Sequence, residues 1–139
     1  MPIALIESSE ALRHCYPVIA ELRPHLTEQQ FVEQVERQQR DGYRLAALED
    51  DGEVRALTGF RVMEMLWCGR ILYVDDLITA SVHRSHGYGG NLFDWLVSHA
   101  RKHRCAQLHL DSGVQRFGAH RFYLDKRMDI VAHHFSLML

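Results

Sequence analysis

The chain has no surplus of positive charge: 16 Lys and Arg stand against 18 Asp and Glu, a net charge of −2 at pH 7. Sequence-independent binding to a phosphate backbone needs a basic excess, so nucleic acid is not an expected partner. No apolar run reaches the roughly 18 residues of a membrane span, so no membrane association is expected either. The opening residues MPIALIESSE lack a basic start and a long apolar stretch, and no secretory signal is expected in them. Cysteine is scarce and scattered at Cys15, Cys68 and Cys105, with no CxxC. That argues against a disulfide framework or a cysteine zinc site and points to a cytoplasmic protein. Pro2, Pro17 and Pro24 all lie near the start, and no repeat, low-complexity tract or linker divides the rest of the chain. One domain over residues 1–139 is expected, since a domain typically runs about 100–200 residues.

The residues that are present suit a packed globular chain: 47% hydrophobic and 24% charged, too apolar for disorder. Residues 2–7 read as a strand. Ser8 or Ser9 caps a helix over 10–23, with Leu12, Cys15, Tyr16, Ile19 and Leu22 at helical spacing and Pro17 placed to kink or divide it. Thr27 and Gln30 form a capping-box pattern that opens a second helix, closed by Asp41-Gly42. Strands come next over 43–49, 53–67 and 71–79, the first two joined by the tight-turn pair Asp51-Gly52. A helix over about 90–103, a strand over 105–111, a short helix over 115–127 and one or two closing strands in DIVAHHFSLML complete the chain. The order is β-α-α-β-β-β-α-β-α-β, which makes an α+β domain with one mixed sheet flanked by helices, and residues 71–111 a right-handed βαβ unit.

The most informative chemistry lies between the third long strand and its helix, in Arg84-Ser85-His86-Gly87-Tyr88-Gly89-Gly90. The first turn of a helix presents unpartnered N–H groups and a partial positive charge, and glycines let backbone approach a ligand or adopt positive φ. Together they can seat a pyrophosphate, with Arg84 adding charge at the entrance. A plain strand-to-helix turn would also need glycines. The two familiar phosphate loops do not match: Leu92 stands where a dinucleotide loop needs its third glycine, and the chain has no GKS or GKT.

Arg84-x-x-Gly87-x-Gly89 resembles the R/Q-x-x-G-x-G/A signature of the GNAT N-acetyltransferase superfamily. LYVDDLIT over 72–79 is similar to that family's central strand, and LHLDSGVQRFGAHRFYLDKRM over 108–128 to its next strand and tyrosine-bearing helix. The resemblance covers essentially the whole chain and implies the GNAT fold. It also implies acetyl-CoA as co-substrate, with pantetheine paired to the strand edge at Leu77, Ile78 and Thr79. The pyrophosphate would then lie on Arg84, Ser85, His86, Gly87, Tyr88, Gly89 and Gly90. A backbone N–H near Ile78 would polarise the thioester carbonyl. Tyr123 matches the family's tyrosine, a general acid for the departing thiolate, and otherwise reads as a core aromatic. The acceptor, a small-molecule or protein amine, would attack directly, with Cys68 and Cys105 as buried small hydrophobes rather than nucleophiles.

Asp75 and Asp76 are candidates for the base, with Asp76 preferred. Alternation along a strand sends one of the two toward the site and the other elsewhere. A structural, hydrogen-bonded aspartate is the other reading of Asp76, and His120 or a water the other source of a base. Two positions depart from the family pattern: Arg127-Met128 stands where Gly-Phe is usual, and Arg116 where many members carry asparagine.

No metal is expected. His99 and His103 share a helix face at i, i+4 without a third ligand, on a face read as solvent-exposed. His133 and His134 alternate on the closing strand. The expected function is N-acetyl transfer from acetyl-CoA to a primary amine in a ternary complex, by an enzyme for which a homodimer is one open assembly. A non-catalytic acyl-CoA-binding sensor on the same fold is the alternative, and a different nucleotide-phosphate binder a third.

Overall fold

The computed structural model describes residues 2–139. They form two compact units, one ending at His109 and the other spanning Leu110–Leu139. The elements are β1 (Ile3–Leu5), α1 (Ser9–Leu22), α2 (Glu28–Arg40), β2 (Arg44–Asp50), β3 (Glu53–Met65), β4 (Gly69–Thr79), α3 (Tyr88–Lys102), β5 (Gln107–Leu110) and α4 (Phe117–Asp125). The sheet runs in the order β1-β2-β3-β4-β5. The first four strands are antiparallel. β5 returns beside β4 through α3, and neighbouring strands joined by a helical crossover run parallel, so the sheet is mixed.

Local chemistry sets the helix ends. Ser8 Oγ accepts the Ala11 N–H at 3.1 Å. Thr27 and Gln30 exchange both bonds of a capping box. Asp41 caps the end of α2, and Gly42 comes after it with φ of +99°. Pro17 does not divide α1. Leu12, Cys15, Val18 and Ile19 are buried on both sides of it, and that packing outweighs one missing hydrogen bond.

Helices cover both faces of the sheet. Leu12, Ile19, Phe31 and Val35 from α1 and α2 pack with Leu45, Leu57 and Ile78. Leu92 of α3 packs with Leu48 and Ala56, the neighbours that point the other way. His99 is not on a solvent face. Its ring lies against Trp95 and Phe60, with centroids 4.9 and 5.0 Å away, and stacks on His103 at 4.1 Å. Burial, with His103 and Lys102 nearby, lowers its pKa from the ordinary 6.5. Cys15 is the buried thiol, pushed up to about 12 by burial and Glu49, whereas Cys68 and Cys105 are only half-buried.

The centre of the sheet carries one irregularity. Gly59 pairs with Asp76 but Phe60 pairs with Val74, so Asp75 is an extra residue on β4. A bulge breaks the alternation of side chains. Simple alternation does not describe Asp75 and Asp76 for that reason: both carboxylates enter one polar cluster with Tyr43, Arg61 and Arg23, each bonded by a different arginine. Gly59 makes room for it. A Cβ there would overlap the Tyr43 hydroxyl and ring.

In the second unit, α4 ends in a Schellman motif. The Met128 N–H donates to Tyr123 O at 3.1 Å and the Arg127 N–H to Leu124 O at 2.9 Å. Arg127 holds the left-handed position at φ of +67° without being glycine. Beyond it the sequence pattern predicts strands, and none forms: residues 129–139 carry no regular structure and are exposed throughout. An extended run becomes a strand only when an edge pairs with it, whatever its composition. His133 and His134 are therefore both exposed, and His134 Nδ1 lies 3.3 Å from Asp111 Oδ1.

Two stability changes are expected. Arg127→Gly removes the left-handed penalty, about 1–2 kcal/mol, and loosens the unfolded chain by about 0.4–1 kcal/mol, for a net gain near 1 kcal/mol in urea unfolding. Gly59→Ala forces the Tyr43 ring to move and costs about 1–3 kcal/mol, the range for overpacked cores; unchanged unfolding would refute the close packing.

Candidate active site

The loop after β4 starts with a single 3-10 turn, Ser81–His83. Ser85 and Gly87 then take positive φ, +68° and +80°, and Gly87 is the N-cap of α3 with no side chain bonded to it. The first N–H groups of α3, from Tyr88 to Gly90, are thus left without intrahelical partners, and no acidic residue occupies that turn. Backbone amides at such a turn attract an anion. The left-handed positions are Ser85 and Gly87, whereas Gly89 lies within α3 with an ordinary φ. Its lack of a side chain matters for packing: a Cβ there would come within 3.1 Å of Thr79 Oγ1.

Arg84 is 59% exposed, with Nη2 3.7 Å from Glu21 Oε1 and Nε donating to Thr79 O at 3.3 Å. It remains accessible to an anion at the loop entrance. His86 is exposed. Tyr88 is fastened by its hydroxyl to Asp50 Oδ2 at 3.2 Å, and His83 is engaged by Arg55 and Glu53.

Within the first unit, among the described residues, the C-terminal part of β4 pairs with β3. The Ala106 N–H donates to Arg70 O at 2.7 Å, which sets the start of β5 level with the start of β4. Four residues of β5 against eleven of β4 cannot reach Thr79. The Ala80 N–H donates to Arg55 O at 2.8 Å. With Leu57 opposite Ile78 and Ala56 opposite Thr79, ladder alternation turns the Ile78 N–H toward β3. Leu77 and Thr79 turn their N–H and C=O groups to the open side.

Beside this strand α1, α2 and β4 line a cavity of about 230 Å³ that is open to solvent on one side. Ile19, Leu26, Phe31 and Val35 form its apolar wall, and Arg23, His25, Gln34, Gln38, Tyr43 and Asp76 its polar one. Asp76 Oδ1 accepts from Arg23 Nε at 3.0 Å and Nη2 at 2.8 Å, and Oδ2 accepts from the Tyr43 hydroxyl at 2.8 Å. Burial first, then the Asp76 charge and hydrogen bond, raise the Tyr43 pKa well above the usual phenol value, so Tyr43 stays a donor. Asp75 is bound differently: Arg61 donates to both its oxygens, at 3.0 and 2.6 Å.

In the second unit Tyr123 sits on α4, with its pKa raised by burial against an opposing effect of Arg116. His120 Nε2 bonds Gly113 O at 2.7 Å. Arg116 is the N-cap residue of α4.

Of the residues the sequence singles out, Asp76 lies on the cavity wall, whereas Arg23, Tyr43 and Arg61, which bond the two carboxylates, were not among them. Two signals pointed to them. A glycine in mid-strand marks a close approach, and two carboxylates within ILYVDDLI require buried partners.

The model of the Acetyltransferase (GNAT) family matches residues 7–128. The chain is 37% identical over 122 residues to "Uncharacterized N-acetyltransferase YhdJ" of Bacillus subtilis (strain 168), covering 87% of this chain and 86% of that protein. Among solved structures, a transcriptional regulator from Bacillus halodurans C-125 superposes with a TM-score of 0.87 at 17% identity, covering 99% of each chain. AAC(6')-Iy, solved with the bisubstrate analogue CoA-S-monomethyl-acetylneamine, superposes with a TM-score of 0.83 at 12% identity, covering 99% of this chain and 97% of that one. Structural likeness at those identities speaks for the fold alone, while the family match and the Bacillus subtilis relative go further: this chain belongs to the GNAT family of acetyltransferases.

Proposed function

We propose that the chain transfers an acetyl group from acetyl-CoA to a primary amine, by direct attack within a ternary complex. The observation that carries this reading is the uncapped start of α3, with left-handed Ser85 and Gly87, beside the open edge of β4. The CoA-based analogue bound by AAC(6')-Iy supports it by analogy. The pyrophosphate rests on the amides of residues 85–90, with Arg84 and His86 at its flank. Pantetheine extends the sheet along β4, bonding the backbone of Leu77 and Thr79. The ladder alternation favours the Leu77 N–H over that of Ile78 as the donor that polarises the thioester carbonyl.

The amine nitrogen attacks the thioester carbon, an N–C bond forms, the C–S bond breaks and CoA leaves as a thiolate. Tyr123 protonates that thiolate. Asp76 draws the proton from the amine, directly or through a water. A carboxylate offers about four acceptor sites, and Arg23 and Tyr43 take three on Asp76, leaving one on Oδ2. Asp76 lines the cavity and Asp75 does not, which favours Asp76. Residues 1–139 act as one catalytic domain in the cytoplasm.

Acetyl-CoA at 100 times its Kd should stabilise the chain by about 2.7 kcal/mol, visible as a rise in Tm; no shift in folded protein would count against the reading. Calorimetry should find CoA binding weakened more by Gly89→Val than by Arg84→Ala. The valine crowds Thr79 Oγ1 and shields the amides, whereas Arg84 is one exposed contact among several. Tyr123→Phe should leave CoA affinity intact and lower kcat and kcat/KM together, by roughly 10²–10⁴-fold if thiolate departure limits the rate. Full activity in that variant would reduce Tyr123 to a packing residue.

A further inference from the structure

We propose that the acceptor is a compact zwitterion: an α-amino acid, or a close derivative keeping both free amine and carboxylate, with an apolar side chain. This rests on the reading of the chain as an acetyl-CoA-dependent enzyme whose acceptor enters the cavity between α1, α2 and β4. The size of that cavity limits the ligand first. At about 230 Å³ it lies below the roughly 300–1,000 Å³ of sites for drug-sized ligands. It buries a group of amino-acid size, and any longer chain would have to leave through its open side.

Charge then decides which small amine fits. The polar wall presents one permanent cation, Arg23, and one carboxylate, Asp76, already paired with each other at 2.8 Å, beside the imidazole of His25 and the neutral Gln34, Gln38 and Tyr43. A simple ammonium would leave two cations sharing one carboxylate in a partly buried site, an uncompensated charge that is costly to bury. A zwitterion keeps the balance at zero. The donor inventory agrees. Arg23 spends Nε and Nη2 on Asp76, and Nη2 also on Asp75 O at 3.2 Å, whereas Nη1 has no partner among the described residues. Asp76 keeps one acceptor site on Oδ2, next to the Tyr43 oxygen. A free guanidinium N–H pair thus lies one carboxylate away from a free carboxylate site, matching a carboxylate and an amine joined through a single carbon. The substrate carboxylate takes Arg23 Nη1, the amine takes Asp76 Oδ2 and Tyr43 Oη, and the side chain meets Ile19, Leu26, Phe31 and Val35.

The test uses the full chain, acetyl-CoA and matched acceptors: L-leucine, L-methionine and L-phenylalanine, each beside its decarboxylated amine, with CoA thiol release as the readout. The amino acids should be acetylated, and loss of the carboxylate should lower kcat/KM by about 10- to 100-fold, the worth of a hydrogen bond to a charged group. In Arg23→Gln and Arg23→Lys the ratio of amino acid to amine should fall toward one. That ratio is measured within each variant, so partial misfolding does not disturb it. Equal or better turnover of the amines, or a ratio unchanged by either variant, overturns the proposal. If acetyl-CoA raises Tm but none of the amino acids is acetylated, the proposal fails and the acetyl-CoA reading stands. If acetyl-CoA itself does not bind, that reading fails. The zwitterion site is then judged by Tm shifts from the amino acids alone, with no shift overturning it and a shift lost in Arg23→Gln supporting it.

Discussion

The bulge in β4 and the hollow left by Gly59 set the terms for the polar centre of this chain. An ordinary ladder would send Asp75 and Asp76 to opposite faces. One extra residue brings both carboxylates into one cluster. Each then finds its own arginine, Arg61 for Asp75 and Arg23 for Asp76, and Tyr43 reaches Asp76 across the space that a side chain at position 59 would fill. Two negative charges in an apolar strand would otherwise be expensive. Their partners come from the end of α1, the start of β2 and the middle of β3, so the cluster ties helix to sheet while keeping one carboxylate facing the cavity.

At the other end of β4 the logic is different, because the backbone carries it. The strand outruns β5, the chain turns through left-handed Ser85 and Gly87, and α3 begins with its amides unfilled. An open strand edge and an open helix start lie side by side, both made of main-chain donors and acceptors. Side chains there matter mainly by being small or by facing away. The carboxylate cluster and the backbone edge differ in chemistry: one is built of charged side chains beside a cavity, and the other of main-chain donors and acceptors that suit a peptide-like arm and a phosphate end.

Much of this was legible in the sequence, for physical reasons. The caps at Ser8 and Thr27, the turn at Asp51-Gly52 and the glycine loop are local, and local chemistry determines them. Non-local features were not legible. The bulge depends on how β3 and β4 register against each other, so the doublet Asp75-Asp76 read as alternating when it is not. His99 read as exposed because its partner Phe60 is remote in sequence. The tail over 129–139 has the composition of a strand, yet pairing decides that assignment and composition does not. Arg127 shows the converse: the Schellman bonds form although the residue that usually permits them is absent.

Gly59 and Tyr43 also constrain each other. The ring occupies the volume that any β-carbon at position 59 would need, so the absence of one side chain is the seat of the other. A side chain at 59 displaces the ring at 43, and with it one of the groups orienting Asp76. The smallest residue in the middle of the sheet thus, with no side chain of its own, sets the aim of a carboxylate.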